Sequence, residues 1–282
     1  MTIATLLVSC PDRSGLVAAM SDFVFRQGGN IVDLDQHSDP DSGTFFMRLV
    51  FDTDRFRLDR DGIHAAITVM SRSYDLTWEL TFSDLRPRVA VFCTKVPHCL
   101  YDLLLAQRLG DLAGDITLVI SNHSELEHVA KHFDVPFVHI PVGSDKAAAE
   151  AEQVALLTRE RIDLTVLARY MQVLSPAFVR GRTGRIINIH HSFLPAFVGA
   201  KPYHQAKERG VKLIGATAHY VTEQLDQGPI IEQAVDRVSH RHTVDDLIRK
   251  GRELERQTLT RAVRLHLDHR VLINGNRTVV FS

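Results

Sequence analysis

The sequence predicts an α/β chain of two units. These are an N-terminal ferredoxin-like βαββαβ unit over residues 1–85 and a doubly wound, mostly parallel-sheet unit over residues 86–282. Three observations predict it. Residues 2–82 run through apolar segments of strand and helix periodicity in the order strand, helix, strand, strand, helix, strand. Asp84-Leu85-Arg86-Pro87-Arg88 is polar, contains proline and precedes a fresh apolar run, as a boundary should. Beyond it, short apolar runs alternate with helical patterns, the signature of a parallel sheet covered on both faces.

In the first unit the strands are expected at Ile3 to Val8, Ile31 to His37, Thr44 to Phe51 and Asp75 to Phe82, and the helices at Leu16 to Arg26 and Ile63 to Ser71. Asp41-Ser42-Gly43 supplies the turn between the middle strands. In the second unit the strands are Val89 to Cys93, Ile116 to Ile120, Phe137 to Pro141, Leu164 to Leu167 and Ile186 to Ile189. The helices between them are Leu100 to Arg108, Ser124 to His132, Asp145 to Arg159 and Pro176 to Arg180. A further apolar strand covers Leu213 to Val221, and an amphipathic helix runs from Asp245 to about His266, its apolar stripe read as packing against the sheet or a partner subunit.

Composition removes several classes of function. At 282 residues, 45% hydrophobic and 24% charged, the chain can bury one large core or two smaller ones. Its formal charge of -1 gives no attraction for nucleic acid or membrane surfaces. No apolar stretch approaches the roughly 20 residues of a membrane span, and the N-terminus lacks a secretory pattern, so a cytoplasmic location is expected. Cys10, Cys93 and Cys99 are an odd number without paired spacing, which supports neither disulfides nor a zinc site. Fifteen histidines form no His-Glu-x-x-His pattern, and His190 and His191, as strand neighbours, should point to opposite faces. No metal is expected.

Polar groups suited to acyl chemistry concentrate between Ile186 and Ile231. Asn188-Ile189-His190 sits at the end of one apolar strand and is followed by Gly215-Ala216-Thr217-Ala218-His219 on another, then by Asp226-Gln227-Gly228-Pro229. An Asn amide and a His N–H can donate to an oxygen that gains charge as a carbonyl is attacked. A nearby Asp can orient the imidazole, stabilise its cation and collect a proton from the nucleophile. Asn-x-His alone is more often a turn. Its placement where an apolar strand enters a polar loop, with a second strand entering another, favours a site, because open parallel sheets hold ligands at such carboxyl ends.

The long run Asn-Ile-His-x-Ser-x-Leu-Pro-x-Phe from Asn188 to Phe197, followed by Gly-x-Thr-x-His-x-Val-x-x-x-Leu-Asp-x-Gly-Pro-Ile from Gly215 to Ile230, resembles the signature of the folate-dependent formyltransferases and formyl hydrolases. The resemblance implies a catalytic triad of Asn188, His190 and Asp226 with His219 beside it. It also implies that Arg169-Tyr170-Met171 lines a pterin pocket whose other side is the loop from Val221 through Leu225 to Gly228. Cys10-Pro11-Asp12-Arg13-Ser14-Gly15, with Gly28-Gly29-Asn30-Ile31, resembles an ACT domain, a regulatory module that pairs edge to edge. That implies Asp12, Arg13, Gly15, Asn30 and Ile31 as contacts for an amino-acid effector, and a homo-oligomer, dimer or tetramer. A domain that only dimerises is the other reading.

After the first strand of the second unit the chain reads Cys93-Thr94-Lys95-Val96-Pro97-His98-Cys99-Leu100. It holds no glycine, and Pro97 removes an N–H, so a phosphate cradle is not built here. With His191 after His190 and an ACT-like unit in front, this segment resembles the hydrolase branch of the family, the formyltetrahydrofolate deformylases. That implies hydrolysis of 10-formyltetrahydrofolate by water to tetrahydrofolate and formate, serving one-carbon and purine metabolism, with no cofactor beyond the folate. Asp226 would accept the water's proton, directly or through a relay, while His190 and Asn188 hold the oxyanion. Two alternatives stand beside it. One is a formyltransferase with an amine acceptor bound near Lys95 and His98; the other is a non-catalytic amino-acid sensor.

Overall fold

In the first unit, alternation along the strands decides which side chains are buried. The computed structural model describes residues 2–194 and 202–281. β1 (Ile3–Pro11), α1 (Leu16–Arg26), β2 (Asn30–Asp39), β3 (Thr44–Asp52), α2 (Arg60–Tyr74) and β4 (Thr77–Phe82) follow in the expected order. The strands form an antiparallel sheet in the order β2-β3-β1-β4. Leu6 and Val8 of β1 and Met47 and Leu49 of β3 face Met20, Val24, Ile63 and Ile67 of the two helices. Leu7 and Phe46 project to the opposite face.

That opposite face is covered by the end of the chain. Met1–Arg86 together with His269–Leu272 and Val279–Ser282 form one compact unit, and Pro87–Asp268 with Ile273–Thr278 form the other. Leu272, Val279 and Phe281 pack on Leu7 and Phe46, and Arg48 Nε donates to the His269 carbonyl at 3.0 Å. The division expected at residues 85/86 did not anticipate this. The closing segment is too short for periodicity to say which face it covers.

In the second unit the elements are β5 (Arg88–Cys93), α3 (His98–Arg108), β6 (Asp115–Ser121), α4 (Glu127–His132), β7 (Phe137–His139), α5 (Lys146–Arg159), β8 (Leu164–Ala168), α6 (Pro176–Arg180), β9 (Ile186–His190), α7 (Pro202–Glu208), β10 (Leu213–Tyr220), β11 (Ile230–Arg237) and α8 (Val244–Leu267). β12 (Val271–Asn274) and β13 (Arg277–Val280) form the final hairpin. The large sheet has the order β11-β10-β9-β8-β5-β6-β7. β9-β8-β5-β6-β7 is parallel, and β10 and β11 extend it antiparallel. Central β5 and β8 are buried almost throughout, as strands covered on both faces must be.

Several boundaries differ from the sequence expectation. β7 stops at His139, and α4 starts at Glu127 rather than Ser124. α7, β11 and the β12–β13 hairpin were not foreseen, because β11 carries four polar residues in eight, Glu232, Gln233, Asp236 and Arg237, and reads as loop. α8 begins with a capping box, Thr243 and Asp246 exchanging side-chain bonds with each other's backbone N–H.

Candidate active site

Strand periodicity alone brings Asn188 and His190 onto one face of β9, two residues apart. Antiparallel pairing with β10 sets His219 directly opposite Asn188, so three polar side chains share one patch where β9 ends. The β10–β11 register slips between Ala218 and His219, the kind of bulge that re-aims a side chain. Asp226 then reaches the patch from the following loop, its backbone in the left-handed region at φ 55°. The loop must fold tightly back on β10, and a β-carbon at Gly228 would lie 1.7 Å from the Tyr220 carbonyl oxygen.

The contacts are specific. His190 Nδ1 is 3.2 Å from Asp226 Oδ2, and His219 Nε2 is 3.6 Å from Asp226 Oδ1. Asn188 Nδ2 lies 3.3 Å from His219 Nε2, and His219 Nδ1 donates to the Tyr220 carbonyl at 2.9 Å. The other ring nitrogen of His190, Nε2, is buried without a hydrogen-bond partner in the protein. Bonds from His190 first, then His219, hold the Asp226 carboxyl well below the usual carboxylate range against the opposing effect of burial. Asp226 is therefore an ionised clamp on two imidazoles.

These groups line a cavity of about 300 Å³ whose walls are Leu167, residues 169–174, residues 188–191, His219 and residues 221–226. Arg169, Tyr170, Met171, Val221 and Leu225 are all on that wall. The Tyr170 ring is itself turned into the core against Phe92, with Gln153 donating to its hydroxyl at 3.0 Å. Met171 and Leu225 leave exposed apolar side chains at the rim. Thr94 fixes the wall from behind, its hydroxyl donating to the Arg169 carbonyl and accepting from Met171 N–H at 3.2 Å.

Three expected substrate contacts lie elsewhere. Lys95 pairs with Glu125 at 3.0 Å, His98 Nε2 meets Glu255 Oε2 at 2.8 Å, and Gly228 shapes the loop without lining the cavity. Pro195 and Phe197 of the signature lie outside the described residues. His191 also departs from expectation. β9 ends at His190, so the chain bends and both imidazoles line the same cavity with ring centroids 5.0 Å apart.

Behind His191 and Arg169 is a buried polar network that the sequence reading missed. Glu255 of α8 takes the Tyr203 hydroxyl at 2.9 Å, His98 at 2.8 Å and the Arg169 guanidinium at 3.5 Å. Burial pushes the Glu255 carboxyl toward its neutral form, but His98, Arg169 and Tyr203 together outweigh it and leave the group below its ordinary value. The signal was present, since Glu255 interrupts the apolar stripe of α8 beside Leu254 and Leu259. Cys99 joins His98 and Glu255 in the only cluster of metal-ligand atoms among the described residues, where Arg169 already supplies a cation.

In the first unit, Arg13 donates to the Ser73 carbonyl at 2.7 Å and lies over the Tyr74 ring, while Asp12 N–H bonds the Gly43 carbonyl. Gly15 caps α1 at φ 94°, and Asn30 and Ile31 begin β2, an edge strand of the sheet. These five positions therefore divide between the β1–α1 turn and one sheet edge.

Comparison with known proteins places both units. The family model for formyl transferase matches residues 87–263, and that for the ACT domain matches residues 4–61. A formyltetrahydrofolate deformylase of Synechocystis is 54% identical over 99% of this chain and 98% of its own length. The crystal structure of a formyltetrahydrofolate deformylase from Pseudomonas syringae superimposes with a TM-score of 0.98 at 47% identity, covering 100% of this chain and 95% of that one. A glycinamide ribonucleotide transformylase from Symbiobacterium toebii matches with a TM-score of 0.67 at 32% identity, covering 70% of this chain and 95% of that one.

Proposed function

This chain belongs to the formyl transferase family and, within it, to the formyltetrahydrofolate deformylases, and on that premise we propose that Asn188, His190 and Asp226 carry out its reaction. The protein is a hydrolase acting on a formyl C–N bond, converting 10-formyltetrahydrofolate and water to tetrahydrofolate and formate. The observation that supports the assignment of residues is the pairing of His190 Nδ1 with an ionised Asp226, which leaves Nε2 buried and without a protein partner on a residue that lines the cavity.

With the carboxylate holding Nδ1, a protonated Nε2 donates to the formyl oxygen as it becomes negative. Asn188 adds a second donor. When the tetrahedral adduct collapses, the folate nitrogen leaves with the proton from His190 Nε2, and Asp226 keeps the ring oriented throughout. The folate ring lies between Arg169–Met171 and the loop from Val221 to Leu225, with Met171 and Leu225 covering its apolar edges. Lys95 and His98 pair with Glu125 and Glu255 and do not line the cavity, which speaks against their holding a second, amine substrate there.

The same reading includes a homo-oligomer formed through the ACT unit, an amino-acid effector held by Asp12, Arg13, Gly15, Asn30 and Ile31, a cytoplasmic setting and no cofactor beyond the folate. Incubation with 10-formyltetrahydrofolate and no added amine tests the central claim. Formate is expected from the wild type and not from Asp226→Ala; equal release by both would remove Asp226 from the mechanism.

A further inference from the structure

In an open parallel sheet, ligands lie outside the carboxyl ends of the strands, in the crevice where the strand order reverses. The order β11-β10-β9-β8-β5-β6-β7 puts that reversal between β5 and β8, because the chain runs from β5 through β6 to β7 and then crosses back to β8 on the far side of β5. Thr94 and His98 follow β5, and Arg169 follows β8. β9, which carries Asn188 and His190, is the next strand beyond β8. A second substrate that used this crevice to approach the formyl carbon would lie between His98 and Arg169.

The chain's own side chains fill that space. The Arg169 guanidinium faces Glu255 Oε2 at 3.5 Å, His98 Nε2 meets the same oxygen at 2.8 Å, and the Tyr203 hydroxyl donates to Oε1 at 2.9 Å. The side chains of Glu255, His98 and Arg169 are only 2%, 13% and 17% exposed, so the crevice is closed rather than lined. Arg169 is held at φ 61°, a left-handed conformation that is uncommon outside glycine and clusters at functional sites. The Thr94 hydroxyl holds it there by donating to its carbonyl. The cavity that remains, about 300 Å³, is at the lower end of small-molecule sites, which suits the reacting end of one folate and a water.

We propose that the cluster of Arg169, Glu255, His98 and Tyr203 determines specificity for water: it occupies the crevice that an amine acceptor would need, so that water alone reaches the formyl carbon. The proposal deepens the hydrolytic reading above and rests on it. None of the four residues moves a proton in the reaction; they decide what can attack. With the crevice opened, an amine nitrogen bonds the formyl carbon and gives up one proton to the group that takes it from water. The bond from the formyl carbon to the folate nitrogen breaks, and its electrons take a proton from His190. Tetrahydrofolate and an N-formyl amine then replace tetrahydrofolate and formate, and exchange with solvent restores both protonation states.

The test uses glycinamide as the amine. Wild type, Tyr203→Ala and the double variant Arg169→Gly with Glu255→Gln are incubated with 10-formyltetrahydrofolate and glycinamide, and formate and N-formylglycinamide are measured, Asp226→Ala giving the uncatalysed background. The double variant removes both members of the pair, so no buried charge is left alone, and glycine accepts the backbone of position 169. The wild type should release formate with N-formylglycinamide at background, and each variant should raise the ratio of N-formylglycinamide to formate by about tenfold or more. An unchanged ratio in a variant that still releases formate overturns the proposal, and so does a variant that folds yet makes neither product, which would assign the cluster to folate binding. If one variant does not fold, the other decides; if neither folds, N-formylglycinamide above background from the wild type overturns the proposal and its absence upholds it. No formate from the wild type without amine overturns the hydrolytic reading itself.

Discussion

A β-carbon at Gly251 would lie 1.9 Å from the hydroxyl oxygen of Tyr203 and 2.2 Å from its Cζ. The glycine is one helical turn before Glu255 on α8, so it opens the gap through which Tyr203 reaches that carboxylate.

Gly251→Ala should therefore act on catalysis from outside the cavity. Alanine gains about 1 kcal/mol of helix propensity over glycine, but overpacking costs about 1–3 kcal/mol, so net destabilisation is expected. Displacing Tyr203 takes a hydrogen bond from Glu255, which also pairs with Arg169 of the cavity wall, and kcat/KM for the folate should fall several-fold. Steady-state kinetics with a thermal melt decide it; a stabilised variant with full kcat/KM would show that Tyr203 moves at no cost.

Thr94→Val removes a hydroxyl and keeps the shape. Without it the Arg169 carbonyl and the Met171 N–H lose their shared partner, and a buried polar group left unmatched costs about 1–3 kcal/mol. Because both ends belong to the folate wall, KM should rise more than kcat falls. The opposite split would place Thr94 in the chemistry instead.

How far the sequence could be read follows from what each residue depends on. Asn188, His190 and His219 were legible because strand periodicity and pairing set their direction, and Asp226 because a short loop leaves it little choice. Glu255 and Tyr203 were less so: Glu255 breaks the apolar stripe of α8, but its partner lies 52 residues away in the chain and no local pattern names it. Lys95 and His98 are the residues near which the formyltransferase reading places an amine acceptor; Glu125 and Glu255 draw them away. The fold was legible where apolar runs alternate and failed at polar β11 and at the closing segment under Leu7 and Phe46.

The charge state of His191 also predicts how stability changes with pH. Burial, then Arg169 and His190, lowers its folded value to about 4 from the ordinary 6.5, so between those values the unfolded chain binds the extra proton. Stability should then rise with pH across that window and be lost as pH falls through it. The effect is expected in wild type and reduced in His191→Gln. Circular dichroism in the far ultraviolet should follow the melt, because the single tryptophan, Trp78, sits in β4 of the other unit. Parallel pH profiles for the two proteins would mean that His191 is not held neutral.

Gly228→Ala is the sharpest probe of the loop that carries Asp226. Its β-carbon would sit 1.7 Å from the Tyr220 carbonyl oxygen, and a backbone atom within a paired strand cannot swing aside as a side chain can. The loop must move instead. Asp226 is six residues from the end of β10 and only two before this glycine, so the shift is passed to the carboxylate that clamps His190 and His219. A misplacement of about 1 Å can cost roughly a hundredfold in rate. Gly228→Ala should accordingly approach the kcat of Asp226→Ala, yet keep its carboxylate. Full activity would mean that the loop relaxes without moving Asp226, and that the clamp is set by the strands rather than by the turn.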